Sequence, residues 1–141
     1  MRLNCGIHPS RLSDEHLYAE SRELKMLPAL YKRIGVTKSK IPDKFTLGPG
    51  HMLFFYMKPQ YTLNRYKIVV EECLKRGIKI TDESWRWDVY GDIEDSWDEE
   101  GFEKVLLEER ITSKIISSPK QYFHYNHKRI SKQETIKILL G

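Results

Sequence analysis

From Ser13 to about Arg33 the chain carries an amphipathic helical run that cannot stand alone in water. Ser13 supplies an N-cap hydroxyl, and Asp14 and Glu15 sit at the positive end of the helix dipole. At about 100° per residue, Leu17, Leu24, Leu27, Leu30, Tyr31 and Ile34 gather on one side. That stripe must be covered by other elements. Pro28 falls inside the run and is expected to kink or break it near Lys25.

The remaining punctuation predicts two more long helices. One runs from about Gln60 to Arg76, with Gly77 as its C′ residue. The other runs from about Phe102 to Ser117, stopped by Pro119. Residues 35–50 read as a Lys-, Pro- and Gly-containing loop, and Met52–Tyr56 is an apolar run that fits either a strand or a buried helical turn. The tail from Lys120 mixes Tyr122, Phe123, His124 and Tyr125 with Lys128, Arg129 and Lys132. At 141 residues, one domain spanning 1–141 is expected.

Composition narrows the class. A hydrophobic fraction of 40% with 31% charged residues describes a globular chain. No stretch approaches the roughly 18 apolar residues of a membrane span, and the start, Met1-Arg2-Leu3-Asn4-Cys5-Gly6, has no apolar segment of a secretory signal. Two cysteines make no disulfide framework, so a reduced, intracellular protein is expected. The formal charge of +4 is unevenly spread, because residues 82–103 hold ten acids against a single base, Arg86. The rest of the chain is strongly basic and able to neutralise several phosphates. Charge alone leaves a merely solvated surface equally open.

The chemical anomaly is on the first helix. His16, Glu20 and Glu23 fall on the same side as the leucines, while Arg11, Arg22 and Arg33 share a flank. Carboxylates on an apolar stripe are costly unless paired. Either they lie at the stripe's edge, reaching solvent or pairing with His16 and a Lys, or one is a partly buried carboxylate suited to proton transfer or to stabilising a cation. The other motifs are weak. The five histidines form no zinc-spaced cluster, and His124-x-x-His127 reads as surface. Gly48-Pro49-Gly50 is no phosphate loop. Trp85, Trp87 and Trp97 read as local packing anchors.

Three blocks carry a family resemblance. They are His16-Leu17-Tyr18-Ala19-Glu20-Ser21-Arg22-Glu23-Leu24, Phe45-Thr46-Leu47-Gly48-Pro49-Gly50-His51-Met52-Leu53-Phe54-Phe55-Tyr56 and Glu72-Cys73-Leu74-Lys75-Arg76-Gly77. Arg2 and Asn4 echo the same pattern at the start, and Arg110, Lys114, Pro119, Tyr122 and Tyr125 continue it more weakly. The sequence resembles the pyrimidine-dimer DNA glycosylases of the phage endonuclease V type. The resemblance implies an all-α, single compact domain of three main helices with long loops, its N-terminus inserted between the helices. It implies a monomer in the cytoplasm of a phage-infected or bacterial cell, bound to double-stranded DNA that contains a lesion or an abasic site, with no membrane partner. It further implies an N-glycosylase with coupled abasic-site lyase activity, acting on cyclobutane pyrimidine dimers through a Schiff base at the chain's own α-amine, with no cofactor and no metal.

By the same resemblance Met1 and Glu23 are the catalytic residues, with Glu20 and His51 supporting them. Arg2, His16, Arg22, Lys25, Arg110, Lys114, Tyr122 and Tyr125 would contact DNA. The chain departs from the family pattern at four places. Met1 stands where the family exposes a Thr amine, Met26 replaces a basic residue, Met57 stands where an Asp is usual, and Gln121 replaces a Trp. A DNA-binding module with altered catalysis and a glycosylase for another modified base remain as alternatives.

Overall fold

The computed structural model describes residues 3–33 and 41–141, so Met1, Arg2 and the first part of the expected 35–50 loop lie outside the described residues. Five α-helices are described: α1 (Asp14–Arg33), α2 (His51–Phe55), α3 (Pro59–Lys75), α4 (Phe102–Ser117) and α5 (Lys132–Leu140). One small antiparallel hairpin joins them, β1 (Tyr122–Tyr125) with β2 (Lys128–Ser131). The architecture is the expected all-α one, with α1, α3 and α4 as its long helices. No described helix is long and apolar enough to cross a membrane.

Local chemistry sets the boundaries. The Ser13 hydroxyl accepts the His16 backbone N–H at 3.2 Å and caps α1. The helix continues through Pro28 instead of breaking near Lys25. Leu24 and Leu27 on its inner face are fully buried, and their packing outweighs the hydrogen bond that Pro28 cannot donate. α3 ends in a Schellman motif, with Gly77 at φ +72° and its N–H on the Leu74 carbonyl, and the Ile78 N–H on the Cys73 carbonyl. Glu103 Oε1 accepts the N–H groups of Glu100 and Gly101 at the start of α4. The ambiguous run at 52–56 is helical, and α2 buries His51, Met52, Phe54 and Phe55.

The core lies between α1, α3 and α4, and the chain's first residues run through it. Leu3, Cys5 and Ile7 are fully buried there. Phe45, Phe54, Phe55, Tyr61 and Trp97 form an aromatic cluster on one flank. Trp87 stacks on Tyr66 and donates its indole N–H to Thr62 Oγ1 at 3.0 Å. Trp85 differs from the expected packing anchor: it is 61% exposed, with Arg86 across its ring.

The tail holds the main surprise. β1 and β2 are joined through Asn126 and His127, both in the left-handed region (φ 52° and 68°). Residues other than glycine are strained there. The turn is held from outside, because the Asp14 carboxylate accepts the N–H of Asn126 at 2.9 Å and of His127 at 2.8 Å. Glu15 accepts the backbone and ring N–H of His124. The Tyr125 hydroxyl donates to the Ser10 carbonyl at 2.7 Å, and His127 Nε2 donates to the Arg76 carbonyl at 2.5 Å. Asp14 also pairs with Arg76, whose guanidinium reaches the Leu12 carbonyl and Glu72. The hairpin is thereby bound to the first turn of α1.

Burial pushes the Asp14 carboxyl up, but the hydrogen bonds from His127, Arg76 and Asn126 outweigh it and hold it below the usual aspartate range. A depressed folded pKa contributes stability that is present above the unfolded value, about 3.9, and is lost as pH falls through the folded one. Asp14→Asn is expected to cost about 1–3 kcal/mol and to loosen the hairpin. Amide exchange at Asn126 and His127 should accelerate below about pH 4 in the wild type and be fast at all pH values in the variant.

Candidate active site

The residues that repeat at helical spacing on α1 open into one cavity. His16, Ala19, Glu20 and Glu23 line it from α1, Asn4 from the N-terminal segment, and Ile111 and Lys114 from α4, around a volume of about 250 Å³. His16 Nδ1 lies 2.6 Å from the Ser13 hydroxyl, and its ring stacks on Phe123.

The two carboxylates have different surroundings. Glu20 is 1% exposed and neither reaches solvent at the stripe's edge nor pairs with His16 or a Lys. Arg65, 5% exposed on α3, grips it with both branches, Nε at 2.7 Å and Nη2 at 2.9 Å. Asn4 adds its backbone N–H at 3.2 Å and its side-chain amide at 3.0 Å. All the charge on Glu20 is thus taken up by fixed donors. Burial works against the Arg65 charge, and the Glu20 carboxylate outweighs it, holding the guanidinium above its ordinary range. Glu23, one helical turn on, is half-buried and faces the cavity.

The N-terminal segment is pinned at three points. Arg65 Nη1 donates to the Ile7 carbonyl at 2.6 Å, and Glu20 holds Asn4. His51, 2% exposed, receives the Leu3 N–H on Nε2 at 3.0 Å, while its Nδ1 lies 3.0 Å from the Thr46 carbonyl. The Leu3 N–H needs an acceptor at Nε2 and the Thr46 carbonyl a donor at Nδ1, which together fit the tautomer with its proton on Nδ1. The Leu3 carbonyl is 3.2 Å from the same Nε2. Both cysteines are buried free thiols, with Cys73 pushed up to about 11 by burial and Cys5 pushed further. Neither is a thiolate nucleophile near neutral pH.

The expected site residues therefore divide. His16, Glu20, Glu23 and Lys114 share one cavity, and His51 lies under the N-terminal segment. Arg22 and Lys25 line a second cavity of about 500 Å³ with Tyr18, Ser21, Tyr66 and Lys79. Lys25 is paired there with Glu83 at 2.5 Å. Arg22 and Arg110 are exposed and form no ion pair among the described residues. Tyr122 is exposed beneath the Arg129 guanidinium, whereas the Tyr125 hydroxyl is taken by Ser10. Met1 and Arg2 lie outside the described residues. Sequence reasoning missed Arg65. Its signal was a charge on the buried face of α3, between Thr62 and Val69 at spacings of three and four.

A protein-family model described as pyrimidine dimer DNA glycosylase matches residues 1–85. The chain belongs to that family. The matched span contains α1, α2, α3 and every described residue that pins the N-terminal segment, so the DNA glycosylase carries its family signature on the elements that build the cavity. α4, which supplies Ile111 and Lys114, lies beyond it.

The contrast between the carboxylates is directly testable in folding. Glu20→Gln leaves the Arg65 charge uncompensated in the core and should cost about 3–5 kcal/mol. Glu23→Gln keeps shape and hydrogen-bonding capacity and should change stability by less than about 1 kcal/mol. Urea melts of the two variants measure this difference.

Proposed function

We propose that this glycosylase excises the damaged base at cyclobutane pyrimidine dimers and then cleaves the strand as an abasic-site lyase, with the Met1 α-amine as nucleophile and Glu23 as the catalytic carboxylate. The observation that supports it is the burial and three-point pinning of residues 3–7 beside the Glu23 cavity. Consecutive Cα atoms are 3.8 Å apart, so Met1 starts at most about 7.6 Å from Leu3. In this reading the amine works beside Glu23, and once DNA is bound the attack on C1′ is an effectively unimolecular step.

The chemistry follows from those groups. A peptide α-amine titrates near ~7.7–8.0, so an appreciable part is neutral and nucleophilic near pH 7. The amine lone pair attacks C1′ of the deoxyribose, the N-glycosidic bond breaks, and its electron pair leaves with the base, which is protonated. Loss of one amine proton and opening of the sugar ring, with O4′ taking up a proton, give an iminium. Removal of a C2′ proton then expels the 3′ phosphate by β-elimination, and water releases the amine. Glu23 stabilises the cationic sugar and carries protons between these steps. Glu20 and His51 act as supports.

DNA is held by phosphate contacts from Arg2, Arg22, Arg110 and Lys114, with His16, Lys25, Tyr122 and Tyr125 as further contacts. The cavity beside Arg22, about 500 Å³ with two tyrosines, has room for an extrahelical base. The enzyme acts as a monomer of one domain.

Borohydride should trap a covalent adduct with a duplex carrying an abasic site or a pyrimidine dimer, and peptide mapping should place it on the Met1 amine. Glu23→Gln should abolish trapping on the dimer duplex while DNA affinity stays within a few-fold. An adduct on Lys25 or Lys114, or full turnover by Glu23→Gln, would overturn the mechanism.

The binding surface has its own measurement. Arg22→Gln and Arg110→Gln should each lower the slope of log K against log salt by about one, for damaged and undamaged DNA alike. Unchanged slopes in both would remove this face from the interface.

A further inference from the structure

We infer that Arg65 is a positioning residue for the reaction, holding the N-terminal segment, and through it the α-amine, in register with Glu23; this rests on the amine mechanism proposed above. Arg65 stands on α3, on the far side of Glu20 from the cavity, and is absent from the residues that line it. Its effect reaches the cavity through two routes. One passes through Glu20, which takes the backbone N–H and side-chain amide of Asn4. The other is direct, from Nη1 to the Ile7 carbonyl at 2.6 Å.

A buried ion pair is a poor way to stabilise a core, since a well-packed apolar pair of similar volume often serves as well or better. An apolar pair, however, could not hold this segment. Residues 3–7 form a turn outside the sheet, closed by the Ile7 N–H on the Asn4 carbonyl, and their other buried backbone groups need fixed partners. The planar pair supplies them at both ends of the segment. The carboxylate accepts at Asn4 and the guanidinium donates at Ile7, while the bidentate contact between them fixes their relative orientation. Asn4 and Glu20 also line the Glu23 cavity. A tilt of the pair therefore shifts Asn4, which shares the cavity with Glu23. A lysine keeps the charge but gathers its three donors on one nitrogen, so it cannot hold the carboxylate in plane and reach Ile7 as well.

The test is single-turnover borohydride trapping on an abasic-site duplex, with rates expressed per folded molecule from thermal melts. Arg65→Lys should trap roughly 100-fold more slowly, the effect of a displacement of about 1 Å, with DNA Kd within about twofold. Asn4→Ala, which leaves the ion pair intact, should also slow trapping at unchanged Kd. The double variant should be no slower than Arg65→Lys alone, because both act on the same segment. Wild-type trapping rates per folded molecule in Arg65→Lys would overturn the inference. If Arg65→Lys does not fold, a wild-type rate in Asn4→Ala overturns it instead. Adduct mapping in the wild type separates the two levels: an adduct on a lysine side chain rejects the amine mechanism, whereas a Met1 adduct with unchanged variant rates rejects only the role of Arg65.

Discussion

The Glu20–Arg65 ion pair is the contact on which the arrangement of this molecule depends. It joins α1 to α3 with both side chains almost fully buried, and it holds the first residues of the chain between them. Chain termini are usually among the least ordered parts of a protein. Here Leu3, Cys5 and Ile7 are core residues, so the chain is fixed in the fold from Leu3 onward. The same pair explains why two carboxylates a helical turn apart have different fates. Every oxygen of Glu20 is committed to Arg65 and Asn4, while Glu23 is left at the cavity that family membership makes the candidate place for glycosylase chemistry.

Charge is distributed to the same end. Three of the ten acids of residues 82–103 are internal fittings. Glu83 joins Lys25 and Arg86, Glu99 accepts the Tyr61 hydroxyl, and Glu103 caps α4. The ring bonded to Glu99 belongs to the aromatic cluster, so this stretch ties the loop before α4 to the core. The tail carries much of the basic excess, with five bases against Glu134 in residues 120–141; α1 and α4 each balance acids with bases, but their Arg22 and Arg110 are exposed without ion pairs among the described residues. A glycosylase must hold a polyanion while keeping its carboxylates from repelling it, and the pairing of Glu83 with Lys25 and Arg86 neutralises one of these acids locally.

The long helices were legible in the sequence because their ends are set by local chemistry. The Ser13 cap, the Gly77 terminus and the Pro119 stop act within a few residues. The hairpin was not legible, because its Asn126-His127 turn is held by Asp14 from the other end of the chain. α5 could have been read, since Ser131 and Glu134 have the spacing of a capping box and the Ser131 hydroxyl does accept the Glu134 N–H. The carboxylates on the α1 stripe were visible as an anomaly, but assigning one to structure required Arg65, which lies on another helix. Trp85 was misread because composition cannot distinguish a tryptophan under the core from one stacked with Arg86 on the surface.

Amide hydrogen exchange at the amino terminus tests the central claim most directly. If His51 and the Glu20–Arg65 pair hold the segment in the core, the Leu3 and Asn4 amides should exchange as slowly as those of Leu24 and Val69 in the helices around them, opening only with global unfolding. Exchange of Leu3 and Asn4 at the rate of a free terminus, with the helices still protected, would contradict it.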